Sequence, residues 1–219
     1  MIFRSFLAQP QISNGKFVYY RVIKTFCNWA CKYGYISENP IEQVEKPKTK
    51  KILLPSITEA QIQIMLKECE SLREKTLLGL LYDSGLRLSE LTNIRGEDIN
   101  FEHYTVTVLG KGGKERKAPF TEATARLLKT QIAKNGHNNI WGLKYSGIAT
   151  ILRRLEDKTG IRCNPHSFRR GFACRLHRKG LSTLDIQRLG GWESLQMVQR
   201  YTASISFEDC PIHYREKLG

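Results

Sequence analysis

The sequence predicts a mainly α-helical fold that carries one small antiparallel β-sheet. Three observations support this. Apolar residues recur at steps of three and four along most of the chain, period-two alternation is confined to one stretch beginning near Tyr104, and a glycine-rich turn interrupts that stretch. A chain of 219 residues can hold one large domain, or a full domain with a small one, and a hydrophobic fraction of 41% supports an ordinary core.

The elements follow in order. Between Lys16 and Gly34, the residues Val18, Val22, Phe26, Trp29 and Tyr33 form one stripe of an amphipathic helix, and "GYISENP" ends it. The run "EKPKTKK" sets Lys46, Lys48, Lys50 and Lys51 around Pro47. It is too charged and too broken for a core element and reads as an interdomain linker lying close to a polyanion. The short piece before it can fold only by packing on something else, or on that polyanion.

A second unit opens at "SITEAQI", where Thr58 and Gln61 have the spacing of a capping box and Ile57 and Ile62 that of a hydrophobic staple. Its first helix runs toward Cys69, and a second spans about Arg73 to Tyr82 and stops at the "DSG" turn. The stretch "HYTVTVLGKGGKERKAPF" alternates around Tyr104, Val106 and Val108 and then turns into a second, basic strand. That is a β-hairpin with lysines at its tip. Helical patterns resume through "EATARLLKTQIAK", "GIATILRRLEDKTG", "HSFRRGFACRLHRKG", "STLDIQRLGG" and "SLQMVQRYTAS".

Lys and Arg number 35 against 21 Asp and Glu, a formal charge of +14, as expected for a partner rich in phosphate. No apolar run approaches the roughly 20 residues needed to span a bilayer, and the amino end lacks a signal-peptide core, so a cytoplasmic protein close to the nucleoid is expected. The six cysteines form no C-x-x-C pair and read as free thiols of a reducing compartment, with no metal site.

Breaking a phosphodiester without a metal needs a nucleophile, cations on the two non-bridging oxygens and a proton for the departing oxygen. The chain offers each. Arg87 in "SGLRLSEL" and Arg169 in "HSFRR" come from different helical regions and could clamp one phosphate from two sides, since the guanidinium fork is permanently charged and binds phosphate bidentately. Lys111 in "GKGGKER" has the reach to deliver a proton, and Tyr201 in "VQRYTAS" is the candidate nucleophile. Taken singly, each has a plainer reading. Arg87 pairs with Glu90 three residues on, Lys111 is a solvated turn residue, Tyr201 and Trp192 pack in the core, and His166 with Arg169 makes a solvated helix face.

Their order and spacing remove that ambiguity. "SGLRLSEL" resembles the first arginine motif of the tyrosine recombinase (phage integrase) family, and Lys111, 24 residues later, resembles its hairpin lysine. "PHSFRRGFA" is similar to the family's H-x-L-R box. "LGGWESLQMVQRY" is similar to its last box, in which a His or Trp precedes the nucleophilic tyrosine by nine residues, the separation of Trp192 and Tyr201. Three positions depart from the commoner pattern: Phe168 stands for Leu, Arg170 for His, and Trp192 for His. The amino end is shorter than the family's usual core-binding domain.

The resemblance implies a tyrosine recombinase catalytic domain over 56–219, a truncated helical core-binding domain of SAM-like type over 1–45 and a basic linker over 46–55. It implies a site-specific recombinase acting in integration, excision or resolution. Tyr201 would attack the scissile phosphate and leave a 3′-phosphotyrosyl bond, while Arg87 and Arg169 stabilise the transition state. His166 would accept the phenol proton, Lys111 protonate the leaving 5′-oxygen, Trp192 offer its indole N–H to the phosphate, and Glu90 orient the arginine. Lys46, Lys48, Lys50, Lys51, Lys114 and Arg116 would contact the DNA backbone. No metal or other cofactor is called for, because the covalent bond stores the energy of the broken one. The partners implied are double-stranded DNA and other protomers in a tetrameric synapse. Two alternatives stand beside it: relaxation in the manner of a type IB topoisomerase, and a non-catalytic DNA-binding integrase remnant.

Overall fold

Side-chain caps start most of the longer helices of this protein, for which a computed structural model describes residues 2–8, 15–48, 55–110 and 113–203. The chain divides into two compact units, Met1–Ile52 and Leu53–Gly219. Among the described residues no helix is long and apolar enough to cross a membrane.

The first unit holds α1 (Ile2–Ala8) and α2 (Lys16–Lys32). Its small core joins Leu7, Tyr20, Cys27 and Ile41, with Ile23, Ile36 and Val44 packed around them. α2 therefore turns Tyr20, Cys27 and Ala30 inward, and the stripe read from the sequence faces outward. Phe26 is 63% and Tyr33 61% exposed, and Val18, Val22 and Trp29 lie open beside them. Trp29 contacts the rings of Phe26, Tyr33 and Tyr35 with centroids 5.8, 5.4 and 5.3 Å away. The helix has two apolar faces, and the segment following it covers the one built from smaller side chains.

The second unit opens with α3 (Glu59–Lys67), where Thr58 Oγ1 accepts from the Gln61 N–H at 3.2 Å and the Thr58 N–H donates to Gln61 Oε1 at 3.0 Å. Both Ile57 and Ile62 are buried in the main core. Ser71 caps α4 (Leu72–Ser84), and Gly85 ends it at φ +57. A Cβ on Gly85 would also lie 2.9 Å from the Phe172 side chain, so glycine is required there on both counts. α5 (Leu88–Thr92) and a 3₁₀ turn at Gly96–Asp98 lead into the sheet.

The sheet has three antiparallel strands in the order β1 (Ile99–Asn100), β2 (Thr105–Leu109) and β3 (Glu115–Pro119). The two-residue β1 carries too little pattern to be read from sequence. Val106 pairs with Ala118 and Val108 with Arg116, and Val106, Val108 and Ala118 are buried. Tyr104 does not continue this face. It takes φ +51 in the turn before β2, is 40% exposed and meets Phe120 edge-on at 6.1 Å.

Five helices complete the unit: α6 (Glu122–Asn135), α7 (Tyr145–Thr159), α8 (Pro165–Arg178), α9 (Thr183–Gly190) and α10 (Leu195–Thr202). α4 lies at the centre, against α6 and α8. α8 serves two clusters. Phe168 enters the main core, while Phe172 joins Ala173, Ile186, Trp192 and Val198 in a smaller one beneath α9 and α10.

The end of α4 also builds the start of α6. Buried Asp83 Oδ2 accepts from the Thr121 N–H at 2.9 Å, from Thr121 Oγ1 at 2.6 Å and from Thr124 Oγ1 at 2.6 Å. Asp83→Ala removes the shared acceptor of three donors. It should cost roughly 2–4 kcal/mol, seen in urea denaturation as a lower midpoint with an unchanged slope.

Candidate active site

The last turn of any α-helix leaves carbonyls without an intrahelical donor, and the partial negative charge of the helix dipole collects there. α9 ends in Leu189, Gly190 and Gly191, with Gly191 left-handed at φ +62. Each of these three carbonyls takes one arginine. Arg116 Nη1 donates to Leu189 O at 2.9 Å, Arg169 Nη2 to Gly190 O at 3.1 Å and Arg87 Nη2 to Gly191 O at 3.4 Å. The glycines are required by space as well as conformation. A Cβ on Gly190 would lie 2.0 Å from the Trp192 ring, and one on Gly191 2.3 Å from Arg116 Cδ.

Three elements deliver the guanidiniums. Arg87 precedes α5 as its N-cap, Arg116 lies on β3 and Arg169 in the second turn of α8. Arg169 is 2% exposed, and its other nitrogen donates to Gly85 O, at the left-handed turn after α4. Burial pulls its pKa below the usual arginine range, and Arg87 and Arg116 add to the effect; at neutral pH the group remains charged.

Glu90 joins two of the arginines. Its Oε1 accepts from Arg87 Nη1 at 2.7 Å, and its Oε2 accepts from Arg116 Nη2 at 2.8 Å and from the Arg87 N–H at 2.7 Å. Burial alone would raise the Glu90 carboxyl, but the charge and hydrogen bond of Arg116, with the two hydrogen bonds from Arg87, outweigh it and hold the pKa below the usual range. Three guanidiniums against one carboxylate leave a surplus of two positive charges. Such a cluster attracts a polyanion.

Trp192 follows α9, 4% exposed, with the Arg169 guanidinium 4.9 Å from its ring centroid and the Tyr201 ring at 5.4 Å. Its buried Nε1 has no hydrogen-bond partner among the described residues. Tyr201 lies in the last turn of α10, half-buried, and its carbonyl accepts from Cys174 Sγ at 3.2 Å. His166 is the second residue of α8, after the Asn164 cap and Pro165. Its surface is largely exposed, and its pKa is lowered by partial desolvation first, then by Arg169, Arg170 and Arg87.

Arg87, Glu90, His166, Arg169, Trp192 and Tyr201 are therefore gathered in one place. Lys111, Lys50 and Lys51 lie outside the described residues. Lys46 and Lys48 are exposed on the first unit, and Lys114 is exposed just before β3. Arg116, expected on the DNA-facing surface of the hairpin, points inward, with its side chain 11% exposed. Period two along β3 holds the signal for this, because Arg116 shares a face with buried Ala118 while Glu115 and Lys117 are exposed. Arg170 is also buried, and it ties α8 to the chain entering the unit through Pro55 O at 2.8 Å. The three carbonyl acceptors had no side-chain signal beyond the "LGG" that ends α9. Among the described residues no three His, Cys, Asp or Glu side chains gather as metal ligands would.

Residues 55–206 match the phage integrase family. Tyrosine recombinase XerA of Saccharolobus solfataricus is 34% identical over 158 residues, covering 71% of this chain and 54% of that protein. XerC of Syntrophus aciditrophicus is 29% identical over 206 residues, covering 83% of this chain and 66% of that protein. The chain thus spans little more than half the length of the first of these relatives. Among solved structures, XerA recombinase superposes with a TM-score of 0.67 at 19% identity, over 94% of this chain and 76% of that one. A lambda integrase dimer bound to a COC′ core site gives 0.75 at 17% identity, over 94% and 65%.

Partial burial first, and then the guanidiniums of Arg169, Arg170 and Arg87, disfavour the charged form of His166, so it should titrate below the ordinary value of 6.5 in the DNA-free protein. By NMR, Arg169→Ala should move that midpoint upward. A midpoint at or above 6.5 in the parent protein would mean the imidazole does not sense the cluster.

Proposed function

The chain belongs to the phage integrase family of tyrosine recombinases, and on that premise we propose that it cuts and rejoins double-stranded DNA at specific sites through a 3′-phosphotyrosyl intermediate. The observation that carries this reading is the partly buried arginine cluster with its surplus of two positive charges, set beside the Trp192–Tyr201 pair. A phosphodiester carries one negative charge, and its pentacoordinate transition state approaches two. The cluster therefore favours the transition state over the ground state, which is what accelerates a reaction.

In this mechanism the Tyr201 oxygen attacks phosphorus, the new P–O bond forms, and the bond to the 5′-oxygen breaks. A phenol is almost wholly protonated at neutral pH, so its proton needs an acceptor. His166 takes it, being neutral at pH 7 because its pKa is lowered. Lys111 protonates the departing 5′-oxygen. Arg87 and Arg169 bind the non-bridging oxygens, with Glu90 fixing Arg87, and Trp192 Nε1, a buried donor without a partner among the described residues, takes a phosphate oxygen. Attack by a 5′-hydroxyl of the same or another strand reverses the steps and releases Tyr201. No energy source beyond the phosphotyrosyl bond is used.

The exposed Lys46, Lys48 and Lys114, with Lys50 and Lys51, contact DNA phosphates, and the first unit is part of a helical core-binding domain. A lambda integrase resembling this chain in fold is a dimer on its DNA site; here strand exchange brings further protomers into a tetrameric synapse. The working place is the cell's DNA, in the cytoplasm with the nucleoid.

Two measurements test the reading. Tyr201→Phe should abolish covalent attachment to a nicked duplex that traps the adduct, while DNA binding stays within a few-fold. A phenylalanine variant that still forms a denaturant-resistant adduct would overturn the assignment. Lys111→Ala should slow cleavage on the order of 10²- to 10⁴-fold but approach the parent rate when sulfur replaces the bridging 5′-oxygen, because a thiolate leaves without a proton. Arg87→Ala and Arg169→Ala should gain far less from sulfur, since they act on other oxygens.

A further inference from the structure

Arg116 is the one arginine of the cluster with no part in the mechanism above, yet its guanidinium is held from two sides, by Glu90 Oε2 at 2.8 Å and Leu189 O at 2.9 Å. It is delivered by the inward face of β3, opposite Val108, and Gly191 leaves room for its stem. Its Nε is buried without a hydrogen-bond partner among the described residues.

A carboxylate and a guanidinium left alone together settle into a bidentate fork, two parallel N–H···O bonds that use both oxygens. Glu90 and Arg87 do not adopt it. Arg116 and the Arg87 main-chain N–H both hold Oε2, so the Arg87 guanidinium reaches only Oε1, through Nη1, while its Nη2 donates to Gly191 O. Charge points the same way. Glu90 with Arg87 alone sums to zero, whereas with Arg116 the three groups retain one positive charge. We infer that Arg116 is a positioning residue of the cleavage reaction: by occupying one oxygen of Glu90 it keeps the Arg87 guanidinium bound to that carboxylate through one nitrogen only and aimed at the scissile phosphate. β3 begins four residues after Lys111, so the same contact ties the strand that follows the hairpin turn to the arginine pair.

This inference rests on the recombinase reading, and the test separates the two. Single-turnover adduct formation on the nicked duplex would be measured at saturating protein for the parent, Arg116→Ala, Arg116→Lys, Glu90→Gln and the Arg116→Ala/Glu90→Gln double variant. If the parent makes no adduct, the recombinase reading fails, and the inference with it. Given an active parent, Arg116→Ala should lose on the order of 10- to 100-fold in rate, as expected when a catalytic group is displaced by about 1 Å. DNA affinity and its salt dependence should stay unchanged. Glu90→Gln in the Arg116→Ala background should then recover rate to within a few-fold of Glu90→Gln alone, because an amide does not trap Arg87 in a charged fork. Such recovery on removing a second group is not expected from a mere loss of packing.

Arg116→Lys supplies the charge without the second donor to Leu189 O and should fall between parent and alanine. If Arg116→Ala does not fold, the lysine variant with and without Glu90→Gln carries the same comparison. In the DNA-free protein, the Arg87 guanidinium ¹H–¹⁵N signals should shift in the single variant and return toward the parent in the double. Three results would overturn the inference: parent-like cleavage by Arg116→Ala, a slowing that Glu90→Gln leaves unrelieved, or a salt slope reduced by roughly 0.9, the change expected if Arg116 itself neutralised one DNA phosphate.

Discussion

The second unit is organised around one constraint: three guanidinium groups are packed together with a single carboxylate shared by two of them. Buried charge is costly unless it is paired and hydrogen-bonded. The chain meets the cost with the last turn of α9, whose three successive free carbonyls each take one arginine, and with Glu90, which takes two. A carbonyl offers a hydrogen bond without cancelling the charge. A second or third carboxylate would satisfy the arginines equally well and leave nothing for a phosphate to bind.

The rest of the unit holds those partners in register. α8 carries Arg169 between Phe168, which enters the main core, and Phe172, which enters the smaller cluster. Phe172 packs against Gly85, whose carbonyl also receives Arg169. Trp192 fills the space left by the missing side chain of Gly190, lies against Arg169 and meets Tyr201. Tyr201 and the arginines are therefore referred to the same few residues at the end of α9, and a shift of that turn would move both.

The first unit follows a different logic. α2 is apolar on two faces, and the one read from the sequence is the exposed one. The stripe of Val18, Val22, Phe26, Trp29 and Tyr33 has larger side chains than the Tyr20, Cys27 and Ala30 that are buried. Periodicity identifies an apolar face, but it does not say which of two faces the chain's own neighbours will cover.

The sequence by itself marked the longer helices, the cap at Thr58 and the residues proposed to react. Thr58 with Gln61 and the glycine at 85 act through neighbours three or four residues away, so local order alone is enough to read them. The spacing of Arg87, His166, Arg169, Trp192 and Tyr201 marked a family whose chemistry needs those side chains. The tertiary structure alone decided which partners Arg116 meets, which face of α2 is covered and which three carbonyls hold the cations. Arg116 reads as one more cation on a basic hairpin until β3 pairs with β2 and turns it toward Glu90, which precedes it by 26 residues. Main-chain carbonyls occur in every residue and leave no mark in composition; they become acceptors for these cations only where a helix ends against them. Such partners come from distant parts of the chain, and it is packing that brings them within hydrogen-bonding distance.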